Sequence, residues 1–244
     1  MLTWDERAEL ERRWYPRVRD VIWGRLQADL ETVMRSDARV LDAGGGQGTW
    51  LLRRYRGRVR SLIGVDLYLP RQHNLDSFAI GSLDALPFAG GCFDVILCHD
   101  VIEHLAQPER SLAELTRVLR PPSYPHAHDG GVLFFKTPSL LAPATLITQL
   151  LPFCLHRWLK QYIGVSEEAV FPTLFRCNTP MALDHALSSA GLEREWLLLV
   201  DETFGYFAFH RIAYVIGLLY SRLMHMPPFR PLRNVIIGMY RRVV

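Results

Sequence analysis

The sequence predicts an α/β fold, a doubly wound, mostly parallel sheet of seven strands with helical insertions. Short apolar runs typical of buried strands alternate along the chain with segments of helical periodicity. The hydrophobic fraction of 49% over 244 residues is sufficient for a sheet that helices cover on both faces. We expect one domain with four parts: N-terminal helices (1–37), a glycine-containing core (38–138), a helical lid insertion (139–178) and C-terminal strands with an apolar helix (179–244).

The N-terminal half supplies the first three strands. Residues 4–35 place apolar side chains on one helical stripe. An apolar strand over 39–42 then runs into glycines, and a helix is predicted over 47–55. A second strand over 59–66 ends in a carboxylate, and a short third strand is predicted at 78–80.

The remaining elements continue the alternation of strand and helix. The strands are predicted at 93–99, 131–137, 192–200 and 234–241, the last antiparallel to its neighbours, and the helices at 108–119, 179–190 and 204–224. Two stretches do not belong to a minimal core. They are an exposed loop rich in Pro and His (121–129) and the apolar segment broken by prolines that forms the lid insertion.

Charge and cysteine usage exclude several function classes. The formal net charge is +3 and charged residues make up 22% of the chain, which is too mild for a nucleic-acid partner. The four cysteines form no C-x-x-C pair and no His/Cys cluster has zinc spacing, so no metal is expected. Reduced cysteines, a charged and aromatic start and the lack of a spanning apolar stretch predict a cytoplasmic protein.

The glycine-rich segment 40–48, Val-Leu-Asp-Ala-Gly-Gly-Gly-Gln-Gly, joins the first strand to the next predicted helix. Glycines let a backbone turn tightly and approach a ligand without Cβ collisions. A helix that begins there would add free N–H groups and a positive dipole end. A turn that binds nothing is the alternative for such a segment taken alone.

Three further segments follow the glycine turn in order. They are Ile-Gly-Val-Asp (63–66), Gly-Ser-Leu-Asp-Ala-Leu-Pro-Phe (81–88) and His-Asp-Val-Ile-Glu-His-Leu (99–105). With the turn they resemble the motifs of class I S-adenosylmethionine-dependent methyltransferases, in particular the type 11 and ubiquinone-biosynthesis branch. The resemblance covers about residues 38–138 and departs from the pattern at the spacer 122–129, which lengthens one loop.

The resemblance implies a Rossmann-like methyltransferase fold, S-adenosylmethionine as cofactor and in-line methyl transfer. The residues that it assigns to the cofactor follow the carboxyl ends of successive strands. They are Asp42, Gly44, Gly46, Gly48, Asp66, Leu67, Asp84, Ala85 and His99. Asp42 would organise the glycine turn near the methionine end, which His99 would also touch. Asp66 would accept hydrogen bonds from the ribose hydroxyls, and Asp84 would lie beside the adenine amino group.

His104 is the candidate catalytic residue, as a general base for a hydroxyl acceptor. It follows the fourth strand, near the edge of the sheet where ligands bind, and histidine is the residue type whose unperturbed pKa lies nearest neutrality. In the alternative interpretation, Glu103 and His104 only hold the turn in place through hydrogen bonds. The sequence leaves both interpretations open.

Two apolar segments with basic edges, 140–164 and 204–224, carry the only indication of the acceptor. Either they cover the sheet and the cofactor cleft, or they lie at a membrane surface with arginines toward anionic lipid. The second interpretation suits peripheral membrane contact and a small or lipid-linked acceptor, methylated at oxygen.

Two other function classes compete. A nicotinamide oxidoreductase would need G-x-G-x-x-G, but Thr49 occupies the position of its third glycine and no Tyr-x-x-x-Lys is present. A non-catalytic binding or membrane-surface module of the same fold is harder to exclude. The complete set of predicted cofactor residues argues against it.

Overall fold

The computed structural model describes residues 1–46, 48–70, 72–123, 129–143, 145–146 and 172–244. Most of the predicted lid insertion, from 147 to 171, lies outside the described residues, as do most of the predicted His- and Pro-rich loop (124–128) and Gln47 of the glycine turn.

Helices and strands follow one another as predicted over most of the described chain. The helices are α1 (Trp4–Trp14), α2 (Val18–Val33), α3 (Pro108–Val118), α4 (Pro180–Ser189) and α5 (Arg211–Met224). The strands are β1 (Arg39–Ala43), β2 (Ser61–Asp66), β3 (Ser77–Ile80), β4 (Val95–His99), β5 (Val132–Pro138), β6 (Leu192–Val200) and β7 (Val235–Arg242).

The strands form one seven-stranded sheet in the order β3-β2-β1-β4-β5-β7-β6. Strands β1 to β5 are parallel, with Leu41 of β1 paired to Ile63 of β2 and to Ile96 of β4. The chain order reverses between β1 and β4, the position at which ligands bind in open parallel sheets. The predicted α/β fold class is confirmed.

Strand β7 runs opposite to its neighbours, as predicted. The N–H of Arg242, at its end, donates to the carbonyl of Gly131, just before β5, at 2.9 Å. The N–H of Ser139, just after β5, donates to the carbonyl of Asn234, just before β7, at 2.8 Å. The start of each strand thus lies beside the end of the other, which is the antiparallel arrangement.

The chain divides into two compact units. The first, here called the sheet unit, comprises Leu26–Thr137, Leu174–Leu198 and Ile237–Val244. Its central strands are buried along nearly their whole length, as expected for parallel strands in the middle of a sheet. Helices α3 and α4 pack against each other in this unit, and both begin with a proline, which is favoured in a first helical turn.

The second, here called the helical unit, comprises Met1–Arg25, Pro138–Thr173 and Leu199–Ile236. Helix α1 begins with a capping box in which Thr3 and Glu6 satisfy each other's backbone N–H groups. Helix α5 packs on the 3-10 helix Thr203–Phe207, where Gly217 leaves no room for a Cβ: one would lie 2.8 Å from the Cα of Phe204. Arg233 closes the other end of α5 by donating to the carbonyls of Met224 and His225.

The N-terminal helices predicted within 1–37 are present as α1 and α2, and the chain breaks the apolar stripe over 4–35 between them. Pro16 disfavours helical geometry in the residue before it, and Tyr15 adopts φ −146° and ψ 73°. Arg17 then takes a positive φ of 64° before α2 begins.

The prediction of an α-helix over 47–55 is wrong for the described residues, 48–55. Successive turns in which N–H groups bond the carbonyl three residues earlier lead into the 3-10 helix Arg53–Tyr55. Gly48 has a φ of 96°, which an α-helix does not contain, and the side chain of Asp42 holds the N–H of Thr49. The expectation of an α-helix dipole at this site is therefore wrong as well.

The helix predicted over 204–224 begins later than expected. Its first part is the 3-10 helix Thr203–Phe207, which contains the exposed Gly205, a poor helix former. His210 is extended, with φ −144° and ψ 136°, and α5 begins only after it.

Candidate functional site

The predicted site residues lie at the carboxyl ends of β1, β2 and β4 and in the loop after β3, all within the sheet unit. The glycine turn after β1 touches the turn after β4, because a Cβ on Gly44 would lie 2.7 Å from a methyl group of Val101. Two of the predicted motifs are therefore in direct contact at the point where the strand order reverses.

Asp42 is fully buried at the end of β1 and organises the turn that follows. Its Oδ2 accepts a hydrogen bond from the N–H of Thr49 at 2.7 Å, and its Oδ1 accepts one from the Thr49 hydroxyl at 2.8 Å. Burial raises the pKa of Asp42, while the two bonds from Thr49 act in the opposite direction. Gly45 is required beside this carboxylate, since a Cβ there would collide with it.

Three N–H groups of the glycine turn, those of Gly44, Gly46 and Gly48, are hydrogen bonded within the protein. The N–H of Gly44 donates to the carbonyl of Val65 at 2.7 Å, and the N–H of Gly48 donates to the carbonyl of Gly45 at 2.8 Å. The N–H of Gly46 donates to Oδ2 of Asp66 at 3.0 Å. These donors are not directed at a bound anion, unlike the N–H groups of a phosphate-binding turn.

Asp66 ends β2 and ties the glycine turn to this neighbouring strand. Besides the bond from Gly46, its Oδ1 accepts from the N–H of Leu67 at 2.7 Å. A carboxylate has about four acceptor positions, so two backbone donors leave capacity for further hydroxyl donors. The Leu67 side chain is 51% exposed beside it.

Asp84 and Ala85 lie in the loop after β3. Oδ1 of Asp84 accepts a hydrogen bond from the hydroxyl of Ser111 in α3, and the Asp84 carbonyl accepts from Arg110 at 3.0 Å. Ala85 is exposed, and its N–H closes a tight turn on the carbonyl of Ser82 at 3.1 Å. Helix α3 therefore positions the Asp84 carboxylate.

A charged cluster occupies the adjacent ends of β4 and β5. His99 pairs with Lys136 across the two strands. Asp100, which follows His99 with a φ of 56°, lies 3.1 Å from Nδ1 of His99 and 3.2 Å from Nζ of Lys136. Burial opposes ionisation of Asp100, but the His99 hydrogen bond and the Lys136 charge outweigh it and hold the pKa of Asp100 well below its usual range.

Glu103 is the most deeply buried acid in the turn after β4, with 3% of its surface exposed. Its Oε2 accepts from the Thr137 hydroxyl at 2.9 Å, and Oγ1 of Thr137 in turn accepts from the side-chain amide of Asn178 at 2.6 Å. Burial raises the pKa of Glu103 to about 7, and the negative charge of Asp100 adds to the increase. This carboxyl group is therefore half protonated near neutral pH.

His104 lies beside this buried acid. Its Nε2 is 3.9 Å from Oε1 of Glu103, its backbone N–H donates to the carbonyl of Val101 at 2.9 Å, and its side chain is 28% exposed. The arrangement accommodates both interpretations of the sequence, because the ring is near the buried acid and is also reachable from solvent.

Replacing Glu103 with glutamine is expected to stabilise the protein at pH 8 by up to about 3 kcal/mol and to leave stability at pH 4.5 nearly unchanged. The folded state favours protonated Glu103, so this group contributes stability below pH 4.5 that is lost as the pH rises to about 7. Glutamine keeps an acceptor for Thr137 and cannot ionise. Urea denaturation of both proteins across this pH range measures the difference.

The matched control is Glu109→Gln, which removes an exposed carboxylate in the first turn of α3. It should change the pH profile of stability much less than Glu103→Gln does. Parallel pH profiles for the Glu103→Gln variant and the unmodified protein would contradict the raised pKa.

Sequence reasoning missed the supporting residues of this site. They are Thr49, Ser111, Lys136, Thr137 and Asn178, each of which binds a carboxylate or a partner of one. Of these residues, Lys136 stands out in the sequence. It is one of two lysines in the chain and the one charged residue in the otherwise uncharged segment 131–138. The other residues form contacts between distant segments, which a sequence pattern does not encode.

The carboxylate acceptors of the site favour a cation that carries hydroxyl and amine groups over a pyrophosphate. Carboxylates lie at the ends of β1 and β2 and directly after β4, and the N–H groups of Gly44, Gly46 and Gly48 are already bonded. A carboxylate attracts cationic and hydroxyl groups and repels phosphate. S-Adenosylmethionine, with its sulfonium, ribose hydroxyls and adenine amine, fits these residues.

Comparisons with known proteins agree with this geometry. Residues 41–124 match the model of a family described as a methyltransferase domain. The matched segments span between 35% and 64% of the lengths of the curated relatives, so the chain covers only part of each of them.

Two relatives illustrate the range of functions. Over 196 residues the chain is 30% identical to a malonyl-[acyl-carrier protein] O-methyltransferase of Enterobacter lignolyticus, covering 78% of this chain and 64% of that protein. Over 152 residues it is 29% identical to a ubiquinone biosynthesis O-methyltransferase of Hahella chejuensis, covering 54% and 60%.

Solved structures share the fold. An S-adenosylmethionine-dependent methyltransferase from Mesorhizobium loti superposes with a TM-score of 0.56 at 17% identity, over 90% of this chain and 97% of that one. Identity at this level shows a common fold and does not extend to the reaction.

Proposed function

We propose that the chain is an S-adenosylmethionine-dependent methyltransferase, as its match to a methyltransferase domain over residues 41–124 supports, and that it transfers a methyl group from S-adenosylmethionine to an oxygen of a small or lipidic acceptor. The observation that carries the proposal is the glycine turn. The N–H groups of Gly44, Gly46 and Gly48 are bonded to a carboxylate and to carbonyls, beside carboxylates that suit a cationic cofactor.

The proposed roles follow the positions of the carboxylates. Asp66 has capacity for the ribose hydroxyls, Asp84 lies in the loop proposed to face the adenine amine, and Asp42 fixes the turn from its buried position. His99, at the end of β4, is proposed to lie near the methionine end. When bound, the cofactor supplies an activated methyl group, because a neutral thioether leaves from the sulfonium. The protein then contributes alignment and exclusion of water.

We propose His104 as the residue that accepts the proton of a hydroxyl acceptor. Its ring is partly exposed, which suits contact with a substrate, and the half-protonated Glu103 lies 3.9 Å away. The names of the two relatives above support an oxygen acceptor, since both are O-methyltransferases. One of these names involves a protein-bound acyl group and the other a quinone pathway, which supports a small or lipid-linked acceptor over nucleic acid.

We propose that the protein acts in the cytoplasm, with peripheral membrane contact through the segment 204–224. The segment 140–164, also proposed for this contact, lies mostly outside the described residues. In the described part of the chain, no helix is long and apolar enough to cross a membrane.

Calorimetric titration with S-adenosylmethionine, S-adenosylhomocysteine and NAD tests the cofactor. We expect micromolar binding of the first two and none of NAD. Binding of NAD alone would overturn the proposal. If the first two bind but methyl transfer to catechol, quinol and acyl-carrier-protein acceptors is absent, the non-catalytic alternative gains support over the enzyme.

Replacing Gly46 with alanine is expected to weaken S-adenosylmethionine binding about tenfold. Gly46 has a φ of 51°, and a Cβ there would have only Oδ2 of Asp66 within 4 Å, at 3.9 Å. The added methyl group would occupy open space beside the carboxylate that is proposed to bind the ribose. Calorimetry measures the change in affinity.

The matched control is Gly57→Ala. Gly57 also has a positive φ, 73°, with nothing within 4 Å of its Cβ position, and it precedes β2 at the end away from Asp66. Both variants should lose about 1 kcal/mol of stability from left-handed strain, but only Gly46→Ala should lose cofactor affinity. Equal affinities in the two variants would remove the cofactor from the space beside Gly46.

A further inference from the structure

We propose that helix α5 and the segments that flank it form a docking surface for an anionic lipid bilayer. This inference rests on the membrane contact proposed above for the segment 204–224 and deepens it, since it names the lipid charge and the side chains that meet the lipid; it does not depend on the proposed methyl transfer. The surface, here called the α5 face, has four apolar side chains at its centre: Ile212, Ile216, Leu219 and Leu223.

The α5 face is apolar although it is exposed to solvent. Its four central side chains follow the spacing i, i+4, i+7 and i+11, which places them on one side of the helix. Their exposed fractions are 66%, 62%, 43% and 44%. The opposite side of α5 is buried, with Tyr214, Leu218 and Met224 among its residues. A helix that is apolar on both sides requires a cover for the second one.

Exposed side chains at both ends of α5 extend the apolar surface. Tyr206 and Phe209 precede the helix with 56% and 47% of their surfaces exposed, and Met226 follows it with 51%. Aromatic side chains at the ends of an apolar helix face are typical of membrane interfaces, where rings lie at the level of the lipid headgroups.

The charged residues near the α5 face favour an anionic lipid surface as its partner. Residues 203–236 contain four arginines and no Asp or Glu. Arg222 and Arg230 are exposed, Arg211 lies 3.8 Å from Glu9 of α1, and Arg233 is engaged in closing α5. Arg211 and Arg222 lie one after the other along one flank of the apolar stripe, the arrangement of a helix that lies in an anionic headgroup layer. A symmetric contact between two copies would bring these like charges together.

A cleft of about 650 Å³ opens beside the C-terminal half of the α5 face. Tyr15, Leu219, Arg222, Leu223, His225 and Met226 line it. The apolar side chains of Leu219, Leu223 and Met226 together with the guanidinium of Arg222 match a phospholipid, which joins an acyl chain to a phosphate. Both ring nitrogens of His225 are bonded to backbone groups. The cleft and the exposed stripe share Leu219 and Leu223, so one lipid surface would contact both.

Co-sedimentation of the full chain with vesicles tests the surface. We expect binding to phosphatidylcholine vesicles that contain about 30% phosphatidylglycerol, and binding at least about tenfold weaker to pure phosphatidylcholine or at high salt. Ile216→Glu should reduce binding to the anionic vesicles by at least about tenfold, and Arg222→Gln by about fivefold.

The control for an added surface charge is Met181→Glu in α4 of the sheet unit, where Met181 is 83% exposed. This variant should bind vesicles like the unmodified protein, and circular dichroism checks that each variant is folded. Failure of the unmodified protein to bind anionic vesicles would overturn the proposal, as would equal binding by the Ile216→Glu variant. A dimer in solution that Ile216→Glu dissociates, without vesicle binding, would assign the face to a second copy instead.

Discussion

Replacing Asp42 with alanine is expected to lower the free energy of unfolding by about 3 kcal/mol and to abolish measurable cofactor binding. The substitution leaves the N–H and the hydroxyl of Thr49 without the carboxylate that now accepts both of their hydrogen bonds, at 2.7 and 2.8 Å. Thr49 is itself buried, so water does not readily replace the lost partner. Urea denaturation measures the loss of stability, and calorimetry with S-adenosylmethionine measures the binding.

The Asp42→Asn variant separates the hydrogen bonds from the charge. Its amide oxygen still accepts from the Thr49 N–H, and its neutral side chain avoids the desolvation that raises the pKa of Asp42. It should therefore retain most of the stability that alanine loses. An Asp42→Ala protein within about 1 kcal/mol of the unmodified one would show that the buried carboxylate does not organise the turn.

Replacing Asp66 with alanine should weaken S-adenosylmethionine binding by about 1.5–3 kcal/mol, roughly 10- to 150-fold, with a smaller effect on stability. The lost interactions are the proposed charge-assisted bonds to the ribose and the 3.0 Å bond that holds the N–H of Gly46. Asp66 is only partly buried, so water can replace the carboxylate at the backbone donors in the absence of cofactor.

Asp76 provides the matched control for Asp66. Its carboxylate accepts from the N–H of Leu62 at 2.8 Å, near the start of β2, whereas Asp66 ends the same strand. Asp76→Ala should reduce stability by about 1 kcal/mol and leave cofactor affinity unchanged. If Asp66→Ala binds the cofactor as tightly as Asp76→Ala does, the ribose is not held at the end of β2.

The strands and their order along the chain were predictable because each strand is encoded by a short local pattern. Each central strand is a short apolar run bounded by glycine, proline or a carboxylate, and such runs specify burial on both faces of a parallel sheet. The reversed direction of β7 was also predicted, from its place in the fold that the motifs implied. The positions of the glycine turn and of Asp66 follow from the same strands, since both lie directly after a strand end.

The breaks within predicted helices depend on local geometry that apolar periodicity does not contain. The stripe over 4–35 continues in the sequence across Pro16, but the backbone cannot continue as a helix there. Likewise Gly48, with its positive φ, prevents the α-helix that the apolar residues after it suggested.

The hydrogen-bond network of Glu103, Thr137 and Asn178 could not be predicted from the sequence, for a different reason. Thr137 joins Glu103 to Asn178, residues that lie 34 and 41 positions away in the chain. Each of these side chains is of a common type in an ordinary position. Only folding brings them together, and only burial gives Glu103 its raised pKa.

The internal hydrogen bonds of the glycine turn bear on how the proposed cofactor would exchange. Asp42, Asp66 and two backbone carbonyls hold the turn in shape without any help from a ligand. A preformed receptor loses little conformational entropy when its ligand arrives. In the proposed reaction, spent cofactor would therefore exchange for fresh cofactor without unfolding of this turn. We expect a slow conformational step of turnover to lie elsewhere in the chain.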